Sequence, residues 1–220
     1  MSSAVMPMSC MGQMCASRMI WPKWAVRLAE LRVDVFLPED KVQSELDGLN
    51  QRRERLLGDA QPLPQLSGLP TQLQVHVRQA DGEFFVYVVD RYTGSIVAYV
   101  TLNRLIEINR RADVLFRSPH TKVAKGYRRR GIASAVYRWW LDSGRSLMTG
   151  ARQSPAARGL WLHMSREYQL THVRLERKEV HELGNDLSSH ELDQLNTRAV
   201  LLGRACDLDF LGPAKRDAGL

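Results

Sequence analysis

The chain has 220 residues, 44% of them hydrophobic and 25% charged, with a net charge of +7. Those proportions exclude a wholly disordered chain, and the length supports one sizeable core without metal or disulfide staples. The basic excess favours anionic partners without choosing among phosphates, nucleic acid and acidic protein surfaces.

Residues 1–20, a Met-rich run without a clear period, read as a flexible tail with no basic-then-apolar leader pattern. The cysteines Cys10, Cys15 and Cys206 are odd in number, which argues for a reducing, cytoplasmic setting. No apolar run approaches the ~18 residues of a membrane span. Residues 21–70 read as a helical appendage closed by a linker. Val42, Leu46, Leu49, Leu56 and Leu57 recur at helical spacing, and GDAQPLPQLSGLP then breaks the helix with three prolines and two glycines.

Residues 71–212 read as the main domain, followed by a frayed tail, 213–220. The period changes to two in QLQVHVR, EFFVYVVD and SIVAYVTLN, three antiparallel strands separated by ADG and RYTG. A short helix and loop then lead to a fourth strand, His120–Ala124. A helix follows from Ile132 to Leu141, a strand from Ser146, a helix opened by Ser154 and Pro155, and strands over 171–177 and 197–203.

Between the fourth strand and its helix lies KGYRRRGIASA, with Lys125, Arg128, Arg129 and Arg130 ahead of Gly131. A strand that turns into a helix through small residues presents unpaired N–H groups and the positive helix end, which suits a diphosphate. Gly131 and Ala133 allow close approach to the backbone, and the arginines add charge-assisted contacts. The spacing is neither that of a P-loop nor that of a dinucleotide fold.

The pattern Arg128-x-x-Gly131-x-Ala133, after Val123 and Tyr127, resembles the acetyl-CoA motif of the GNAT superfamily of N-acetyltransferases. The order of strands and helices is similar over about Gln72 to Gly203. Gly-Ile-Ala-Ser-Ala and the later Leu-Trp resemble GNAT-like proteins of phages and mobile elements. The resemblance implies an α/β fold: a mixed, largely antiparallel sheet of six to seven strands flanked by helices, its fourth strand bulged and splayed from the fifth. It also implies acetyl-CoA as co-substrate, with Val123 and Ala124 bonding pantetheine through their backbones. Arg128, Arg129, Arg130, Gly131, Ile132, Ala133 and Ser134 would surround the diphosphate. Gly131→Glu is then expected to abolish CoA binding without unfolding the domain.

Acetyl transfer to a primary amine needs a neutral nucleophile, a polarised thioester and a proton for the thiolate. His120 and Glu107 are the candidate bases and Tyr168 the candidate acid. The family's Asn, Ala and Tyr on the later helix correspond here to Ser154, Ala157 and Trp161, and an indole supplies no dissociable proton. The histidines show no metal-ligand spacing, so no metal is expected. The sequence thus points to an acyl-CoA-dependent N-acetyltransferase acting on an amine of a small molecule or protein. Two alternatives stay open. One is a CoA-binding module without transfer; the other is a nucleic-acid-associated protein using Arg138, Arg145, Arg152 and Arg158 with Trp139 and Trp140.

Overall fold

The structure is a computed structural model and describes residues 38–192 and 194–206. Expectations for residues 1–37 and 207–220 lie outside the described residues. The described residues all belong to one compact unit, and none of their helices is long and apolar enough to cross a membrane.

Among the described residues nine strands form one mixed, mostly antiparallel sheet: β1 (Gln61–Pro62), β2 (Leu73–Ala80), β3 (Glu83–Asp90), β4 (Ile96–Asn103), β5 (Phe116–Val123), β6 (Ser146–Met148), β7 (Leu170–Glu176), β8 (Glu179–Gly184) and β9 (Thr197–Leu201). Their spatial order is β1-β2-β3-β4-β5-β6-β9-β7-β8, and only β5 and β6 run parallel. The sheet therefore exceeds the expected six to seven strands through two edge elements. β1 comes from the proline-rich linker, and an edge is where a strand tolerates proline. β8 follows a two-residue turn whose residues, Arg177 and Lys178, are both left-handed. That conformation is usually announced by Asn-Gly or Asp-Gly, as Asp81-Gly82 announces the β2–β3 turn.

Period-two alternation sends Val86 and Val88 to one face of β3 and Tyr87 and Val89 to the other. On the first face they join Val100 and Leu102 beneath α4 (Ile132–Asp142) and α5 (Pro155–Met164), with Trp140, Leu141, Trp161 and Met164 in the same core. The opposite face receives α1 (Glu39–Gln51) and α2 (Arg53–Gly58), where Val42, Leu46 and Leu56 pack on Tyr87, Val89 and Ile96. The helices read as an appendage thus cover part of one sheet face. Fully burying a leucine such as Leu46 contributes ~1.5–3 kcal/mol.

Asn50 fixes their position. Its Nδ2 donates to Leu46 O and Ile96 O, each at 3.0 Å, and its Oδ1 accepts the Ile96 N–H at 2.7 Å. This bond occurs beside the register shift between Val88 and Val89, where the β3–β4 ladder is interrupted. A bulge exists, but on β4, where Val97 lies between the partners of Val88 and Val89 and has none of its own; β4 and β5 pair without a shift from Ala98↔Val123 to Asn103↔Ser118.

Two further elements, α3 (Arg110–Asp113) and α6 (Ser189–Leu192), are single turns. α3 is opened by Asn109, whose side chain accepts the Ala112 N–H. It belongs to the segment linking β4 to β5, which buries Leu105, Ile108 and Ala112 in a third cluster with Phe116, Val173 and Val200. β5 begins at Phe116, ahead of the expected His120, because it runs through Pro119.

Candidate functional site

β5 pairs with β6 only at Phe116↔Ser146 and Arg117↔Leu147 and continues beside β4 alone to Val123. The parallel pairing stops there, and β5 runs on past the end of β6. Pro119 accounts for the point of departure: in the alternation along β5 its nitrogen faces the β6 side, and it has no hydrogen to give. Beyond it the open edge carries the backbone groups of Thr121 and Val123. Ala124 is not part of that edge, because its N–H donates to Val97 O at 2.9 Å. The backbone donor expected at Ala124 is therefore already used, and alternation places the available ones at Thr121 and Val123.

From Val123 the chain enters a 3-10 turn, Lys125–Tyr127, then an extended Arg128, a left-handed Arg129 at φ 58° and a left-handed Gly131 at φ 76°, where α4 begins. No side chain caps the first turn of α4 among the described residues, so its leading N–H groups stay open to a ligand. Arg129 and Arg130 are exposed, Ile132 is buried, and Ala133 and Ser134 are half-buried.

Gly131 has a second duty. A Cβ placed on it would stand 2.9 Å from the Gly68 carbonyl oxygen, and its φ disfavours any other residue. Gly131→Glu is therefore a disruption of backbone and packing as well as of charge, which overturns its expected use as a binding variant that spares the fold.

Charged partners hold the turn from both sides. Glu39, at the start of α1, receives Lys125 Nζ at 3.1 Å and Arg128 Nη1 at 2.9 Å. Those two cations, Lys125 foremost, keep its carboxyl below the usual range. Arg128 Nε also reaches Val123 O at 3.3 Å, so this side chain folds back onto the open edge. On the far side Asp90 accepts Tyr127 Oη at 2.7 Å and the Tyr92 N–H at 2.8 Å.

Of the candidate bases, His120 lies on β5 beyond the last residue paired with β6. Its ring centroid is 6.3 Å from that of Tyr99. Burial first, then the Lys122 charge, lower its pKa, against a smaller opposing effect of Glu45. The imidazole is thus neutral around pH 7. Around it sit residues that sequence reasoning passed over. Tyr99 Oη donates to Glu45 Oε2 at 2.7 Å, and the buried Lys122 Nζ lies 4.0 Å from the same oxygen. No local signal marks a helical glutamate and a strand lysine as neighbours; only the packing of α1 on β4 and β5 does so.

Glu107 is elsewhere. It faces Arg198 of β9, with Oε2 2.9 Å from Nη2, and compensates a guanidinium that is 4% exposed. β6 stands between β9 and β5. Tyr168 is buried, donates its hydroxyl to Asp142 Oδ1 at 2.7 Å and is pushed up to about 12 by burial and that carboxylate. Tyr137 pairs with Thr121 Oγ1 at 3.2 Å and is likewise pushed up to about 12 by burial. Trp161 is core. No acid poised near neutrality emerges from these three.

Of the surface expected around Trp139 and Trp140, part is taken up, while Trp139 is half-buried and Arg152 and Arg158 are exposed. Trp140 is 1% exposed, with Arg145 stacked 4.7 Å over it, and Arg138 makes a two-pronged pair with Glu167 at 2.6 and 2.7 Å.

No protein-family model matches the chain, and no characterised protein matches it by sequence. Among solved structures it is similar to a GNAT superfamily phosphinothricin acetyltransferase from Sinorhizobium meliloti in complex with AcCoA. The identity is 18% over 56% of this chain and 63% of that one, with a TM-score of 0.32. It is also similar to a cAMP-binding acyltransferase from Mycobacterium smegmatis, at 14% identity over 68% of this chain and 57% of that one, with a TM-score of 0.35. The chain thus spans less than two thirds of either structure.

Proposed function

We propose that the chain binds acetyl-CoA along the open edge of β5 and transfers the acetyl group to a primary amine. The observation that carries this reading is the continuity of three features: the end of the β5–β6 pairing at Arg117, the backbone groups of Thr121 and Val123 on the unpaired edge, and the uncapped start of α4 behind the turn. The edge fits the amides of a pantetheine arm. The first N–H groups of α4 with Arg129 and Arg130 fit a diphosphate.

His120 takes the proton from the acceptor ammonium or from the tetrahedral adduct. Its lowered pKa keeps it unprotonated and able to accept at neutral pH. The amine nitrogen bonds to the thioester carbonyl carbon, the C–S bond breaks, and the thiolate takes its proton from solvent. A thiol with a pKa of about 8.5 leaves without a dedicated acid, in keeping with Tyr137 and Tyr168 being held protonated in other contacts. Arg128 must release Glu39 or Val123 O to meet a phosphate, so its contribution to affinity is smaller than that of Arg129 and Arg130.

Calorimetric titration of the full chain with acetyl-CoA is the test. Micromolar binding that weakens about tenfold for each of Arg129→Ala and Arg130→Ala is expected. Thiol release with a panel of primary amines then separates a transferase from a CoA-binding module. For a transferase, His120→Gln lowers kcat/KM by about 10²- to 10⁴-fold and removes the acidic limb of its pH profile, with acetyl-CoA affinity retained. Absence of acetyl-CoA binding overturns the proposal.

A further inference from the structure

At the end of the sheet where β3 and β5 finish, the β3–β4 turn stands beside the turn that opens α4. The two are joined through one carboxylate: Asp90 accepts the Tyr92 N–H with one oxygen and Tyr127 Oη with the other. α2 is tied to the same place, because Arg53 Nη1 donates to Gly94 O at 2.7 Å. Three elements therefore present one braced end face.

Its composition is unusual. Tyr92 is 86% exposed, the most exposed large hydrophobic among the described residues, and it is held at its backbone while the ring stands in solvent. Arg91 flanks it, and Arg129 and Arg130 lie across the Asp90 bridge, all exposed. Arg130 is spread 5.0 Å over the Tyr127 ring. The nearby acids are occupied: Glu39 by Lys125 and Arg128, Asp90 by the two tyrosine groups. Arg91, Arg129 and Arg130 make no ion pair among the described residues.

We infer that this face binds single-stranded nucleic acid, with a base stacked on Tyr92 and neighbouring phosphates on Arg91, Arg129 and Arg130. A protruding ring needs an unstacked base, which a duplex does not offer, and flanking guanidinium groups supply a path for the backbone. An acidic peptide would use the cations and leave the ring idle. The site is distinct from the Trp139–Trp140 surface, where Trp140 is buried beneath Arg145 and Arg138 is paired with Glu167. It shares only Arg129 and Arg130 with the acetyl-CoA site.

The test is fluorescence anisotropy of a labelled single-stranded DNA of roughly 12 nucleotides, a length within common single-strand site sizes, titrated with the full chain over a range of salt. With three phosphates contacted, log K falls against log salt with a slope of about −2. Tyr92→Ala weakens binding about tenfold with the slope unchanged, and Tyr92→Phe restores it. Arg91→Ala weakens binding and reduces the slope by about 0.7. Neither Tyr92→Ala nor Arg91→Ala changes the acetyl-CoA titration, so a failure here is separable from a failure of the acetyl-CoA site. The inference is overturned by any of four results: no binding at low salt, affinity indifferent to Tyr92→Ala, equal affinity for a duplex of the same length, or equally effective displacement by a polyglutamate peptide.

Discussion

Gly131 shows how one residue serves two ends. Its left-handed φ turns the chain into α4, and its missing side chain makes room for the Gly68 carbonyl. Gly131→Ala should therefore cost about 1–3 kcal/mol of folding stability, read by urea unfolding; a value near zero would mean that the turn is easily rebuilt. His120 gives a pH signature. Its folded pKa lies below the unfolded value of about 6.5, so the unfolded chain binds more protons between the two. Its contribution to stability is full above pH 6.5 and is lost as pH falls through the folded pKa. Stability of His120→Gln should be flatter than that of the parent across that acidic window, measured by thermal unfolding at several pH values. Tyr127 and Arg128 were legible as motif positions, but their actual partners, Asp90 and Glu39, lie 37 and 89 positions away in the chain. No local pattern encodes such separations.

Among the elements, the three hairpin-forming strands were the most readable, because alternation and the turn residues Asp81 and Gly82 agree. β8 was missed for the opposite reason: Arg177 and Lys178 adopt a glycine-like conformation without a glycine. β5 was shortened because the residues up to Pro119 read as a short helix and loop, although in the fold Pro119 marks the end of one ladder while the other continues. The α1–β4 junction was invisible in the sequence, since an asparagine inside a helix carries no distinctive signal. Asn50→Ala should nevertheless cost about 2 kcal/mol, because the Ile96 N–H and carbonyl lose their partner at an interrupted stretch of ladder. Asn50→Asp, which keeps the acceptor and loses the donor, should recover part of that loss in the same unfolding assay.

For the molecule as a whole, the sequence divided what the fold unites. The proline-rich linker looked like a boundary, yet it contributes β1, its Leu63 and Leu66 pack against the main core, and its Gly68 meets Gly131. A chain lacking residues 1–58 exposes Tyr87, Val89 and Ile96 and should lose cooperative unfolding. A sharp thermal transition in that fragment would show that the sheet stands without α1 and α2.

The freed edge of β5 also has an isotopic consequence. Along a strand lying well inside a nine-stranded sheet, amide hydrogens are normally shielded together. Here His120 and Lys122 turn their amides toward β4, while Thr121 and Val123 turn theirs toward the gap left by β6. In deuterated water the strand should show a comb: slow exchange at 120 and 122, fast exchange at 121 and 123. A molecule laid into the gap would fill in the missing teeth, so its path could be read from the two amides that fall silent.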